Sequence, residues 1–337
     1  MATTLPLVTR VRSGISWNVS SSLVGQFIGF IRSVTLARLL APEDFGLFTM
    51  ALTIVAAANA LTTIGLDRTI IANKFETRSD LEVHLDTVWS SEVIRSLIVA
   101  VLVSLAAFPT ARFYGQSQLK ILIPVLALAS VVQGFQNVGL VLLRKEISFG
   151  RLFWFELATN LGGVALTIAL AAVLHNVWAL VLGMLLTTAI GTALSYLFHP
   201  FRPSVRFEGG ALTRALNFGK FALVFAVASY ITNMADNVVV GHLLGTAALG
   251  NYSLAFNIAS APIIIVIFSV SAVLLPAYAE INTHDPARLG PAFTKAFNLT
   301  SIIMLMVATP FFFFAGEIVQ LLFGPRWTTA GSVLRIL

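Results

Sequence analysis

The stretch ARLLAPEDFGLFTMAL at residues 37–52 places a charged, proline-bearing turn between two long apolar runs. Proline suits the first turn of a helix, where its missing N–H has no hydrogen bond to lose, so a helix is predicted to begin at Pro42. Glu43 and Asp44 then lie at the positive end of the helix dipole, which carboxylates stabilise. Because the turn is short, the sequence predicts a tight hairpin of two antiparallel helices.

The chain on either side of this turn has the composition of a multi-pass membrane protein. Of its 337 residues, 57% are hydrophobic and only 11% are charged, with a mean hydropathy of +0.89. This balance excludes an ordinary soluble globular domain. A net charge of +6 would suggest a nucleic-acid partner only in a soluble chain, so no nucleic acid is expected. The absence of cysteines excludes disulfides and thiolate metal sites, and the scattered histidines predict no metal site.

Nine segments have the roughly 20 mostly apolar residues that a helix needs to cross a bilayer. They are predicted at 13–38, 45–66, 87–110, 119–143, 150–174, 177–198, 217–241, 247–276 and 291–315. The final residues, RWTTAGSVLRIL, begin a stretch typical of a tenth helix.

Basic residues set the predicted orientation, because cytoplasmic loops of membrane proteins carry an excess of Lys and Arg. With a cytoplasmic N-terminus, the outer segments hold four such residues, namely Arg38, Arg112, Lys120 and Arg326. The inner segments then hold 14, namely Arg10, Arg12, Arg68, Lys74, Arg78, Arg144, Lys145, Arg151, Arg202, Arg206, Arg214, Lys220, Arg288 and Lys295. We therefore expect the N-terminus in the cytoplasm.

A relative of the opening stretch, GHLLGTAALGNYSLAF, returns at residues 241–256. At an offset of 204 residues, Gly46 matches Gly250 and Phe48 matches Tyr252. Six spans separate the two copies, and an even number gives both copies the same orientation in the membrane. The predicted fold is all-α integral membrane with two parallel-repeat six-helix bundles, the second truncated after about three helices. The natural gene is therefore expected to continue beyond Leu337 with at least three further spans.

This repeat also predicts the domain boundaries. Residues 1–198 form an N-terminal six-helix transmembrane bundle, and residues 199–215 form a cytoplasmic linker. Residues 216–337 form an incomplete C-terminal transmembrane bundle.

Five charged residues fall inside predicted spans, namely Arg32, Glu92, Arg95, Glu156 and Asp236. Each costs about 2.5–3.5 kcal/mol at the centre of a spanning helix, so each is expected to face protein or water. Other interpretations stay open. Arg32 could snorkel to the outer interface. Glu92 and Arg95, three residues apart, could form a self-contained ion pair, and Glu156 could have a purely structural role.

Polar and small residues recur at helical spacing along the first and seventh spans. The face on the first span includes Gln26 and Arg32. At the same offset of 204 residues, the seventh span carries a matching face of Tyr230, Asn233, Asp236 and Asn237. This pattern indicates either a polar cavity between the two halves or tight helix packing through small residues.

These features together resemble a known family. ARLLAPEDFGLFTMAL, its weaker copy at 241, LLRKEISF after the fourth span and FGPRWTTAGSVLRIL at the end are similar to one branch of a transporter superfamily. That branch is the polysaccharide-exporting one of the multidrug/oligosaccharidyl-lipid/polysaccharide exporter superfamily, which includes Wzx-type flippases. The resemblance implies a V-shaped pair of six-helix bundles that moves undecaprenyl-pyrophosphate-linked glycans across the bacterial cytoplasmic (inner) membrane.

The same resemblance implies partners and roles. It implies no enzyme activity and no cofactor, and it implies a lipid-linked glycan substrate, the lipid bilayer, polysaccharide polymerase or assembly proteins, and H⁺ or Na⁺ as a coupling ion. Arg32 or Arg95 would bind pyrophosphate through forked hydrogen bonds. Sugar hydroxyls would bind Gln26, Tyr230, Asn233 and Asn237, and the coupling ion or counter-charge role would fall to Asp236, Glu156 and Glu92.

Two other functions stay open at this point. One is a cation-coupled multidrug exporter of the same superfamily. The other is an integral-membrane glycan polymerase or ligase, although such an enzyme would be favoured by a long outer loop with clustered Arg or His, and every predicted outer connection is short.

Overall fold

The structure is a computed structural model that describes residues 7–63, 70–71, 75, 77–146, 148–207 and 209–337. Two residues of the predicted inner charge cluster, Arg68 and Lys74, lie outside these ranges. Contacts divide the chain into a terminal unit, Met1–Arg38 with Asn251–Leu337, and a central unit, Leu39–Gly250. The predicted domain boundaries near residues 198 and 216 stay a prediction.

All the described elements are helical. The helices are α1 (Leu7–Leu39), α2 (Pro42–Thr62), α3 (Arg78–Phe113), α4 (Leu119–Gly134), α5 (Leu140–Lys145), α6 (Phe149–Leu174), α7 (Trp178–Phe198), α8 (Gly209–His284), α9 (Leu289–Phe313), α10 (Ala315–Phe323) and α11 (Thr328–Ile336). Short 3₁₀ turns cover Pro286–Arg288 and Pro325–Trp327. This confirms the predicted all-α class, and α11 supplies the helix predicted at the end of the chain.

Six stretches of the described chain are long and apolar enough to cross a membrane. They account for seven of the nine predicted spans, because the two spans predicted inside α8 form one continuous stretch, Leu223–Ile264. The predicted span 13–38 is helical throughout, within α1, but is not among the six. The predicted span 119–143 is not among them either, since α4 has only 16 residues.

The opening hairpin begins its second helix where the sequence predicts. Pro42 is the first residue of α2, and the Ala41 N–H donates a hydrogen bond of 3.0 Å to Asp44 Oδ2. The Asp44 N–H in turn donates to the Ala41 carbonyl at 3.1 Å. These bonds satisfy backbone groups that a helix start would otherwise leave unpaired.

A glycine separates the two spans predicted inside α8. Gly245 has φ +84° and ψ −174°, which is not helical and which residues with a Cβ rarely adopt. It lies at the position equivalent to Ala41 of the first hairpin, at the offset of 204 residues. The non-helical residue therefore lies in the interval 242–246 that the two predicted spans leave between them.

The two matching glycines of the repeat make reciprocal contacts inside the central unit. A Cβ added to Gly46 would overlap the backbone carbonyl of Thr246. A Cβ added to Gly250 would likewise overlap the backbone carbonyl of Pro42. Pro42 and Thr246 are themselves equivalent at the offset of 204 residues. The fifth residue of each helix, a glycine, thus contacts the first residue of the other helix.

We expect Gly46→Ala and Gly250→Ala each to destabilise the fold by about 1–3 kcal/mol, because a carbonyl of a packed helix start must move. The measurement is thermal unfolding of the purified chain in detergent. Gly290→Ala is the matched control, since a Cβ there meets nothing within 4 Å. Equal unfolding midpoints for all three variants would contradict this account of the contact.

The structure corrects the fourth predicted span, which is not one helix over 119–143. Instead, α4 ends at Gly134 and the chain is irregular before α5 begins at Leu140. The break is stable because side chains from elsewhere replace the lost helical hydrogen bonds. This irregular segment of the central unit contributes to the polar cavity described below.

Candidate functional site

Hydroxyl groups of α7 form hydrogen bonds with the end of α4 and with the irregular segment that separates α4 from α5. Thr192 Oγ1 donates to the Val132 carbonyl at 3.0 Å, and Tyr196 donates from its hydroxyl to the Phe135 carbonyl at 2.8 Å. The Asn137 N–H donates to Ser195 Oγ at 2.9 Å. Irregular backbone is tolerated inside a membrane protein only where protein or a water-filled cavity surrounds it.

Asn137 forms hydrogen bonds that stabilise the C-terminal side of the break, next to α5. Its side chain is almost fully buried, at 1% exposure. Its Nδ2 donates to the Phe201 carbonyl at 2.7 Å, and its Oδ1 accepts from the Gly139 N–H at 2.8 Å. One amide thus fixes both the start of α5 and the segment that follows α7.

Hydrogen bonds also connect the segment after α7 to α3. Asp86 accepts the Ser204 N–H at 2.9 Å and the Ser204 hydroxyl at 2.7 Å. The Arg206 N–H donates to Ser90 Oγ at 3.1 Å. His199, at the start of this segment, is half-buried, and desolvation lowers its pKa from the ordinary value. These bonds fix the chain at the predicted cytoplasmic end of the central unit.

A cavity of about 380 Å³ lies beside the break, between α3, α4, α5 and α6. Its volume falls in the range of about 300–1,000 Å³ that small-molecule sites occupy. Apolar side chains of α5 and α6 form part of its wall, including Leu152 and Phe155. Its polar lining consists mainly of Trp89, Glu92, Arg95, Gln133, Gln136, Asn137 and Arg144.

The Glu92 and Arg95 side chains form an ion pair in this cavity. Arg95 Nε donates to Glu92 Oε2 at 2.7 Å, and Arg95 Nη1 donates to Asn59 Oδ1 at 3.2 Å and Thr62 Oγ1 at 3.3 Å. The two side chains retain 19% and 26% exposure for Arg95 and Glu92. The predicted ion pair therefore forms, and it lines an accessible cavity as well.

The polar face of the first span lies in the terminal unit. Gln26 and Arg32 are both half-buried on α1, six residues apart. Within that unit, and among its described residues, neither side chain forms a hydrogen bond or an ion pair. The Asn18 side chain, which begins the same face, lies outside the described residues.

The matching face lies on α8, in the central unit. Tyr230, Asp236 and Asn237 are half-buried, and Asn233 is exposed. Asn233 Nδ2 donates to the Ser229 carbonyl at 2.7 Å, and the Asn237 N–H donates to Asp236 Oδ1 at 2.9 Å. The structure thus brings these four predicted residues together on consecutive turns of one helix.

Glu156, the remaining predicted residue, is half-buried on α6. Its neighbours Leu152 and Phe155 line the cavity, but Glu156 is not among the described residues that do. Arg32 belongs to one unit and Asp236 to the other, so the role of Asp236 as a counter-charge to Arg32 stays a prediction.

Sequence reasoning missed most of the cavity. It selected Glu92 and Arg95 because charge inside a span is costly. It did not select Trp89, Gln133, Gln136 or Arg144. The run QGFQN at 133–137 was the available signal, since three amides and a glycine are unusual inside one span.

Comparison with known proteins identifies the family to which this chain belongs. Residues 35–332 match the family described as polysaccharide biosynthesis protein. The chain belongs to this family. This match confirms the resemblance to a polysaccharide family that the sequence predicts.

Two curated relatives of the polysaccharide biosynthesis protein family are similar over most of this chain. The lipopolysaccharide biosynthesis protein WzxC of Escherichia coli K12 is 28% identical over 327 residues, which is 96% of this chain and 65% of WzxC. The succinoglycan biosynthesis transport protein ExoT of Rhizobium meliloti is 25% identical, over 97% of this chain and 65% of ExoT. The chain therefore spans just under two thirds of the length of these relatives.

A solved structure supports the fold of this family member. The inward-facing conformation of a multidrug resistance MATE family transporter of the MOP superfamily aligns with a TM-score of 0.65. The alignment covers 94% of this chain and 79% of that chain at 18% identity. At this identity the likeness shows the fold alone, and it agrees with the all-helical membrane class that the sequence predicts.

Proposed function

We propose that the chain translocates an undecaprenyl-pyrophosphate-linked oligosaccharide or polysaccharide precursor across the bacterial cytoplasmic membrane for surface polysaccharide export. The observation that carries the proposal is a cationic, amide-lined cavity inside a chain that belongs to the polysaccharide biosynthesis protein family. Two of its relatives, a lipopolysaccharide biosynthesis protein and a succinoglycan biosynthesis transport protein, support it.

Translocation of this kind needs binding groups and a path, with no covalent step. The polyprenyl tail stays in the bilayer while the charged and sugar parts pass through a hydrated cleft. Guanidinium groups such as those of Arg32 and Arg95 would bind the pyrophosphate, since they form forked, charge-assisted hydrogen bonds. Amide and phenol groups, Gln26, Tyr230, Asn233 and Asn237, would bind sugar hydroxyls.

The finer architecture that we propose is a parallel repeat of two helix bundles. The reciprocal contacts of Gly46 with Thr246 and of Gly250 with Pro42 support it. A two-fold relation between the hairpins requires such an exchange, because each residue must meet the equivalent of its own partner.

A second pair of equivalent contacts supports the same repeat. Arg38 Nε donates to the Leu322 carbonyl at 2.9 Å, inside the terminal unit. His242, equivalent to Arg38 at the offset of 204 residues, places its Nδ1 2.9 Å from the Phe113 carbonyl, inside the central unit. Each acceptor lies near the C-terminal end of a helix and two residues before a glycine with positive φ, Gly324 or Gly115.

We further propose the orientation and partners that the charge distribution and the resemblance predict. The N-terminus lies in the cytoplasm, and the protein lies in the inner membrane. Asp236, Glu156 or Glu92 binds H⁺ or Na⁺, or acts as a counter-charge to the substrate-binding arginines. Polysaccharide polymerase or assembly proteins are the expected protein partners.

Complementation tests the proposed function. A flippase-deficient strain that expresses this protein should regain surface polysaccharide, whereas the empty vector should not. Reporter fusions at His175 should read periplasmic, and fusions at Arg206 should read cytoplasmic. Reversed fusion results would contradict the orientation, and unrestored polysaccharide at a normal membrane protein level would contradict the function.

The same strains test the competing transport function. A cation-coupled multidrug exporter would lower drug susceptibility in a pump-deficient strain and leave surface polysaccharide unchanged. Glycosyltransferase and polymerase genes beside the natural gene would favour the glycan substrate, and a regulator gene would favour the drug pump.

A further inference from the structure

Trp89 carries an unusual polar group in the cavity beside the α4 break. Among the described residues, its indole N–H forms no hydrogen bond, although the Nε1 atom is buried. One candidate acceptor is the Tyr196 hydroxyl, which donates to the Phe135 carbonyl and whose oxygen keeps lone pairs that can accept. Since buried N–H groups are almost always hydrogen-bonded, a ligand oxygen in the cavity is a second acceptor for this group.

The cavity also carries an excess of positive charge. Two guanidinium groups, Arg95 and Arg144, line it against one carboxylate, Glu92. Arg95 is held by Glu92, Asn59 and Thr62, whereas Arg144 is exposed in the last turn of α5. A ligand that neutralises the excess charge would be anionic, and Arg144 is the group best placed to receive it.

The remaining polar lining suits hydroxyl groups. Gln133 and Gln136 each supply an amide that can donate and accept. An aromatic ring beside amides is a surface on which a sugar ring can pack while its hydroxyls bind the amides. The apolar side chains of Leu152 and Phe155 also line the cavity and limit its hydration.

We propose that this cavity is a subsite for an acidic sugar residue of the translocated glycan. The indole N–H of Trp89 donates to a ring or hydroxyl oxygen, the two glutamines bind hydroxyls, and Arg144 binds the acidic group. The proposal rests on the proposed function and adds a substrate class, a glycan that contains an acidic sugar. It also separates this subsite from Arg32, which binds the pyrophosphate.

Binding of small probes to the purified chain tests the subsite. The probes are glucuronate, glucose and inorganic phosphate, and the readouts are the shift in thermal unfolding midpoint and the change in tryptophan fluorescence. Glucuronate should bind at least about tenfold more tightly than glucose, because only glucuronate adds a charged hydrogen bond to Arg144. Phosphate alone should bind more weakly than glucuronate, since it leaves Trp89 and the glutamines without partners.

Two variants and their matched controls locate the binding. Arg144→Gln and Trp89→Phe should each weaken glucuronate binding about tenfold, and Trp89→Phe should also remove most of the fluorescence change. Arg151→Gln and Trp154→Phe should change neither, because both residues are exposed and do not line the cavity. Circular dichroism of each variant checks that it is folded.

Three results would overturn the subsite. They are no glucuronate binding by the folded wild-type chain, equal binding of glucose and glucuronate, or phosphate binding as tight as glucuronate binding and unaffected by Trp89→Phe. Complementation separates this failure from failure of the proposed function. Restored export without glucuronate binding refutes the subsite alone, whereas binding without export refutes the function.

Discussion

Replacement of Arg32 by alanine is expected to abolish surface polysaccharide export while the protein remains inserted at its normal level. Arg32 is half-buried on the polar face of α1, and no described residue of its own unit satisfies its guanidinium. A charge inside a membrane span is costly, so a charged residue there is expected to interact with a ligand or an opposite charge. Among the groups of a lipid-linked glycan, pyrophosphate is the one that a planar guanidinium binds best.

Two further substitutions distinguish this role from that of a simple positive charge. Arg32→Lys should restore export only partly, because an ammonium cannot form the forked pair of hydrogen bonds. Asp236→Asn should do less damage than Arg32→Ala, because it removes a competitor for the arginine as well as a partner. The measurement is complementation of a flippase-deficient strain, with surface polysaccharide and membrane protein level determined together.

Arg112→Ala is the control for this series, since Arg112 is exposed in the last turn of α3. It should export normally. Near-normal export by Arg32→Ala at a normal protein level would refute the prediction. Arg32 would then only snorkel to the interface, and the cationic anchor of the substrate would have to be sought at Arg95.

Local sequence signals predicted the hairpins well. Proline followed by two carboxylates specifies a helix start through backbone geometry and the helix dipole, and α2 begins at Pro42. The spans predicted at 217–241 and 247–276 leave a short interval, and the non-helical residue Gly245 lies in it. Composition and turn chemistry within short stretches supply these signals, so they can be read without the rest of the fold.

The break between α4 and α5 could not be read in this way. On average hydropathy, residues 119–143 are as apolar as a spanning helix. What ends α4 is a set of hydrogen bonds to Thr192, Ser195 and Tyr196, about 60 residues further along the chain. Gly134 also allows close contact, since a Cβ there would overlap Ser96 Oγ. Interactions over such sequence distances override the local helical preference of a segment.

The same limit applies to the site residues. Charge inside a span pointed to Glu92 and Arg95, and the structure places both in the cavity. It also pointed to Glu156, which does not line that cavity among the described residues. The cost of burying a charge indicates that a residue has a partner, but it does not indicate which neighbours a fold will bring to it.

Replacement of Arg95 by alanine is expected to reduce export at least tenfold, and part of this loss should come from the carboxylate left behind. Arg95 joins α3 to α2 through Glu92, Asn59 and Thr62, so its removal leaves Glu92 without the guanidinium it pairs with at 2.7 Å. Removal of one member of a sheltered ion pair costs more than removal of both. Single and double variants therefore separate stability from substrate binding.

The double variant Arg95→Gln with Glu92→Gln separates the effect on stability from the effect on export. It keeps the size and hydrogen-bonding capacity of both side chains and removes both charges, so its thermal unfolding midpoint should recover most of what Arg95→Ala loses. Export should stay low, because the Arg95 guanidinium is no longer present to bind an anionic substrate. The control is the exposed pair Arg78 and Glu82 on the same helix, with side-chain exposures of 91% and 49%. Arg78→Ala should cost no more than about 1 kcal/mol and should leave export unchanged. If the double variant exported normally, the Glu92–Arg95 pair would be a structural feature of the central unit, and Arg95 would not contact the substrate.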